Sequence, residues 1–188
     1  MKDKKLKERI EMEELKKAIK DNEVVLLLLP HTAYLEKVIN VTKMISSMSE
    51  RICFVTLNRP YKTLVKEFKK NEINLNPFFF IDCVTKKVKE EEGDEQVAYV
   101  SSPRALTEMN IVMKKVLETG SIEIAIFDSL STLLVYEDPH VVVKFAHSVI
   151  SMFRTLGSKG VIISLKEDME SELIKDLNMF VDKVVEMD

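Results

Sequence analysis

The run Ile122-Glu123-Ile124-Ala125-Ile126-Phe127 stops at Asp128, and Ser129, Ser131 and Thr132 follow it among leucines. A short, β-branched and almost continuously apolar run of this kind suits a strand buried on both faces of a parallel sheet. Such a strand needs helices above and below it, so this one segment already restricts the chain to a layered α/β architecture. The acid at its end has a second consequence. In open α/β sheets ligands bind beyond the carboxyl ends of the strands, and Asp128 stands at such an end.

The rest of the chain supplies matching pieces. Further strands are predicted at residues 23–29, 51–56, 78–81, 97–100, 161–165 and 180–186. Between them lie amphipathic helices. Leu35, Val38, Thr42 and Ile45 mark the inner face of a helix at 34–48, and Asn58-Arg59-Pro60 opens the next one with proline at its first position. Ser102-Pro103 caps a helix to residue 117, with Leu106, Met109, Met113 and Val116 inward and Gly120 ending it. Asp138-Pro139 starts a helix ending at Gly157, with Val142, Phe145, Val149, Phe153 and Leu156 inward, and residues 167–177 read as another helix. Strands alternating with helices imply right-handed crossovers and a mostly parallel sheet. Residues 86–96 carry Lys, Glu and Asp without an apolar period and are expected to be a solvated loop.

A chain of 188 residues fits one α/β domain, here residues 21–188, preceded by an N-terminal helical arm at residues 1–20. On the arm, Met12, Leu15 and Ile19 share one face, while Leu6 and Ile10 point nearly opposite. The second half is therefore expected to dock on the domain. Hydrophobic residues make up 46% and charged residues 31% of the chain, which fits a soluble globular protein. A net charge of −3 argues against general binding to a phosphate backbone. The N-terminus runs straight into charges without the apolar core of a signal peptide, and no aliphatic run approaches the length of a membrane span. Cys53 and Cys83 sit in separate predicted strands with no CxxC pair, as expected for buried reduced thiols in a cytoplasmic protein.

Phe127-Asp128-Ser129-Leu130-Ser131-Thr132-Leu133-Leu134, preceded by its apolar strand, resembles the Walker B region of RecA-superfamily ATPases, in particular archaeal KaiC-like proteins. Ser101-Ser102-Pro103-Arg104-Ala105-Leu106-Thr107-Glu108 resembles a helix-opening segment of archaeal members. Gly157-Ser158-Lys159-Gly160-Val161-Ile162-Ile163-Ser164 and Phe180-Val181-Asp182-Lys183-Val184-Val185 resemble two later core segments. The resemblance spans residues 23–185 and implies a three-layer RecA-like P-loop NTPase fold. Its Walker B-like acid is Asp128, the one cofactor-binding candidate, which in such ATPases holds the water shell of Mg²⁺.

The departures from that family bear directly on function. Its phosphate loop, G-x-x-x-x-G-K-[ST], falls on Leu29-Pro30-His31-Thr32-Ala33-Tyr34-Leu35-Glu36. Leucine and tyrosine replace the glycines that let backbone amides wrap a phosphate, and leucine replaces the lysine that neutralises its oxygens. Glutamate replaces the Mg²⁺-binding hydroxyl and takes the favourable dipole position at the helix start. Only four glycines exist, the first at Gly93, so no shift of alignment restores the loop. The acidic residues that KaiC-like ATPases carry after the second strand are also missing from Thr56-Leu57-Asn58-Arg59.

The expected reading is a pseudo-ATPase: a RecA/KaiC-like domain without catalytic residues, ATP or another cofactor, working as a protein-interaction or regulatory module or as an oligomer. Pro30-His31-Thr32-Ala33 is expected to run as an ordinary turn, with Tyr34 or Leu35 closing the vacant phosphate space. Asp128 is expected to be vestigial, hydrogen-bonding Ser129 or Thr132; a cation ligand is its other reading. A nucleotide-binding protein with a non-standard loop, or a site completed by a partner subunit, is the alternative function. Nucleic-acid binding has weaker support, because Lys62, Lys66, Lys69 and Lys70 read as a solvated helix face. His31 reads as a surface-loop residue. His140 and His147 share a helix face but lack a third metal ligand. Ser129, Ser131 and Thr132 have no base in sequence reach for nucleophilic catalysis.

Overall fold

The computed structural model describes residues 2–85, 95–169 and 171–188. In chain order its elements are α1 (Lys2–Asp21), β1 (Val24–Leu29), α2 (Tyr34–Ser46), β2 (Ile52–Thr56), α3 (Tyr61–Lys70), β3 (Phe78–Asp82), β4 (Val97–Tyr99), α4 (Leu106–Glu118), β5 (Ile124–Asp128), α5 (Leu130–Leu133), α6 (Pro139–Leu156), β6 (Lys159–Leu165), α7 (Glu172–Leu177) and β7 (Lys183–Glu186). The stretch 86–96, expected as a solvated loop, lies outside the described residues except for its last two.

The strands form one parallel sheet in the order β4-β3-β2-β5-β6-β1-β7. Successive side chains along a strand point to opposite faces, and this period of two sorts the core into two apolar layers. Val24, Leu26 and Leu28 of β1 join Ala125 and Phe127 of β5 on one face, under α4, α5, α6 and α7. Val25, Leu27 and Leu29 join Ile124 and Ile126 on the other, under α1, α2 and α3. The result is a three-layer α/β domain with β5 at the middle of the sheet. On the second face Phe54, Phe68 and Phe80 pack ring against ring, with Phe54 edge-on to Phe68 at 5.6 Å between centroids.

The helix boundaries follow local chemistry. Asp138 caps α6 by accepting from the His140 N–H at 2.9 Å, Pro139 occupies the first turn, and Gly157 ends the helix at φ 75°. Two expected helices start later than their sequences suggest. The Ser102 hydroxyl accepts from the Arg104 N–H at 3.0 Å, closing a turn of its own, so α4 begins only at Leu106. The helix expected at 167–177 is split into a 3₁₀ turn at Lys166–Asp168 and the separate α7, whose N-cap is Ser171. Pro60 stands one position ahead of the first turn of α3.

Leu15 and Ile19 of α1 are buried in the second layer, whereas Leu6 and Ile10 remain 58% and 59% exposed. A nearly buried ion pair, Lys37 Nζ to Glu11 Oε2 at 3.0 Å, fixes this helix to α2. Among the described residues, no helix is long and apolar enough to cross a membrane.

α6 packs against β6 where Gly160 has no side chain. A Cβ at Gly160 would lie 2.2 Å from Phe153 Cδ2 and 2.6 Å from Cε2, inside a fully buried ring. Gly160→Ala is therefore expected to lower unfolding stability by about 1–3 kcal/mol, the usual effect of overpacking. Phe153→Leu in the same chain should recover part of that loss, as read by denaturant unfolding.

Candidate functional site

Asp128 is the last residue of β5, and the period of two places its side chain on the face of Ile124 and Ile126, toward α2 and α3. It is 2% exposed. Its donors come from those neighbouring elements. The Tyr34 hydroxyl, from the first residue of α2, donates to Asp128 Oδ1. Asn58 Nδ2 donates to the same oxygen at 2.8 Å. Asn58 lies two residues beyond Thr56, which is in register with Asp128 across the β2–β5 pairing, so its amide reaches the acid from the adjacent strand end. Tyr34 comes from farther away, since β6 separates β1 from β5.

Asn58 ties the rest of the cluster together. Its Nδ2 lies 3.4 Å from Ser129 Oγ, its Oδ1 accepts from the Thr132 hydroxyl, and Ser129 and Thr132 are 3.0 Å apart. The expected bonds from Ser129 or Thr132 to Asp128 are replaced by these, because the carboxylate faces the start of α2 and the connection between β2 and α3, where Tyr34 and Asn58 stand. Burial pushes the Asp128 carboxyl up to about 6, against the opposing pull of the Tyr34 and Asn58 donors and the Arg59 charge. Burial also raises the Tyr34 phenol well above its ordinary range, reinforced by the Asp128 charge beside it.

The segment ahead of Tyr34 is a turn. Pro30 is extended and His31–Ala33 form a single 3₁₀ turn leading into α2, as the sequence suggested. The His31 N–H donates to both oxygens of Glu167, at 3.2 and 3.3 Å, and His31 Nδ1 lies 2.6 Å from Glu167 Oε1. These bonds hold the Glu167 carboxyl below its usual range. A second internal carboxylate serves the next helix. Asp82, fully buried at the end of β3, accepts from the backbone N–H groups of Tyr61, Val84 and Thr85 at 2.8–2.9 Å and from the Thr85 hydroxyl at 2.7 Å.

Other candidates from the sequence are scattered. His147 packs on Phe180 with centroids 4.5 Å apart, while His140 is exposed at the start of α6. Ser131 and Ser164 bond each other at 2.7 Å, away from Asp128. Lys62, Lys66, Lys69 and Lys70 are exposed on α3. Cys53 and Cys83 are buried free thiols, and burial raises Cys53 to about 12. Among the described residues, no three His, Cys, Asp or Glu side chains gather as a metal-holding group.

Reading the sequence missed Asn58, Asp82 and Glu167. A signal for Asp82 was present: Phe78-Phe79-Phe80-Ile81-Asp82 repeats the apolar-run-then-acid pattern of β5. Glu167 offered none, because its partner His31 lies 136 positions away.

No protein-family model matches the sequence and no curated protein does. Among solved structures, a KaiC-like protein from the hyperthermophilic archaeon Pyrococcus horikoshii matches with a TM-score of 0.60 at 14% identity, over 88% of this chain and 72% of that one. The fold is RecA/KaiC-like.

Titration of Asp128 gives the site a pH signature. A carboxyl raised in the folded state from 3.8 to about 6 favours the fold while protonated, and that contribution is lost as pH rises through about 6. Wild-type stability relative to Asp128→Asn should fall by about 2 kcal/mol between about pH 4 and about pH 7. Denaturant unfolding at several pH values measures this difference; parallel curves for the two proteins would contradict it.

Proposed function

We propose that this chain is a catalytically inactive RecA/KaiC-like domain that acts as a protein-interaction or regulatory module. The observation that carries this reading is the Tyr34 hydroxyl on Asp128. Tyr34 stands where a phosphate loop has its second glycine, and Asp128 is the acid that would face the metal of a bound nucleotide. Their direct hydrogen bond fills the ground between the two halves of such a site.

The surroundings support the same reading. An amide that could meet a phosphate, the His31 N–H, is engaged by Glu167. Glu36 in the first turn of α2 adds a negative charge where a phosphate would approach. Leu35 brings no charge in place of lysine. The second strand is followed by Asn58, whose amide is a donor to Asp128 and has no basicity with which to activate water. A domain built this way offers its surfaces rather than a reaction, and its partners are proteins, including further copies of itself.

Isothermal titration calorimetry with ATP and Mg²⁺ tests the proposal. The expected outcome is no saturable heat at micromolar nucleotide and no ATP hydrolysis above background. Saturable micromolar binding would overturn it in favour of a nucleotide-binding protein with a non-standard loop.

A further inference from the structure

Leu15 and Ile19 turn one face of α1 into the second apolar layer, and Leu6 and Ile10 stand on the opposite face at 58% and 59% exposure. At about 100° per residue, positions four apart lie one above the other, so these two side chains form a short apolar stripe. Past Ile10 the stripe continues with the exposed Glu13 and Lys17. Its apolar part is one turn long, which suits a weak, reversible contact rather than a permanent one.

The charges beside the stripe are sorted by side. The same rotation puts Arg9 and Lys16 on one flank and Glu14 and Asp21 on the other. None of the four has an ion-pair partner among the described residues. On each flank the two charges are seven residues apart, and each base precedes an acid by five. When two parallel helices pack stripe to stripe, the flank of one meets the opposite flank of the other, and residues five apart in sequence face each other across the seam. Arg9 then faces Glu14 of a second copy and Lys16 faces its Asp21, each pair formed twice by symmetry. An antiparallel pair would bring like flanks together, bases to bases and acids to acids.

We propose that the outer face of α1 is a docking surface for a second copy of this chain, packed parallel along Leu6 and Ile10 and aligned by Arg9–Glu14 and Lys16–Asp21 pairs. Such a contact gains from apolar burial and from a charge complementarity that also fixes its direction. It gives the proposed function one concrete partner but stands on α1 alone. A monomeric chain would remove this surface, while the nucleotide titration would still decide that function separately.

Sedimentation equilibrium of the full chain at low ionic strength should show a monomer–dimer equilibrium that weakens as salt is added. Leu6→Glu should leave a monomer at concentrations where the wild type pairs. Arg9→Glu and Glu14→Arg should each weaken association by about tenfold, and the double variant Arg9→Glu/Glu14→Arg should restore it, because the swap rebuilds the pairs across the seam. Residues five apart on one helix do not face each other, so this recovery reports a contact between chains. A monomer throughout, a dimer unaffected by Leu6→Glu, or a charge swap that fails to restore association would each overturn the proposal.

Discussion

A carboxylate at 2% exposure is costly to keep unless donors meet it, and at Asp128 they come from the Tyr34 hydroxyl and the Asn58 amide. The Tyr34 bond reaches farthest. It connects the start of α2, which follows β1, to the end of β5 across an intervening strand. It therefore fixes where α2 begins and what occupies the space above the strand ends. The apolar layers hold the sheet and helices together, but they do not specify this end of the molecule. Polar bonds do that.

The same device recurs along this edge. A parallel sheet with helices following its strands leaves backbone amides at the helix starts, and these are natural seats for anions. Here Glu167 takes the His31 amide and Asp82 takes the amides of Tyr61, Val84 and Thr85. Each carboxylate is supplied by the end of a different strand or the turn beyond it. Amides that a carboxylate already takes are closed to a phosphate, and this is the physical support for the proposal that the domain works through its surfaces.

How far the sequence foretold this depends on the range of the interactions. Binary patterning made the strands legible, because each buried run had to alternate between two apolar layers; Ile124 and Ile126 against Ala125 and Phe127 is the clearest case. Capping made α6 legible to within a residue, since Asp138, Pro139 and Gly157 act locally. Ser102 and Ser171 show the limit of the same rule. A hydroxyl can close a short turn or start a helix, and the choice depends on what packs next to it. Tyr34 or Leu35 was expected to close the space ahead of α2, and the bond to Asp128 falls to Tyr34. Its actual partner, like Asn58 beside it, depended on strand order, and no local pattern encodes that.

The central claim is that Tyr34 and Asp128 form one energetic unit. A double-mutant cycle of Tyr34→Phe and Asp128→Ala, measured by denaturant unfolding at neutral pH, tests it most directly. A coupling energy of about 1.5–3 kcal/mol, the range for a hydrogen bond to a charged group, is the predicted result. Additive single effects would show that the two residues do not act together and would contradict the account.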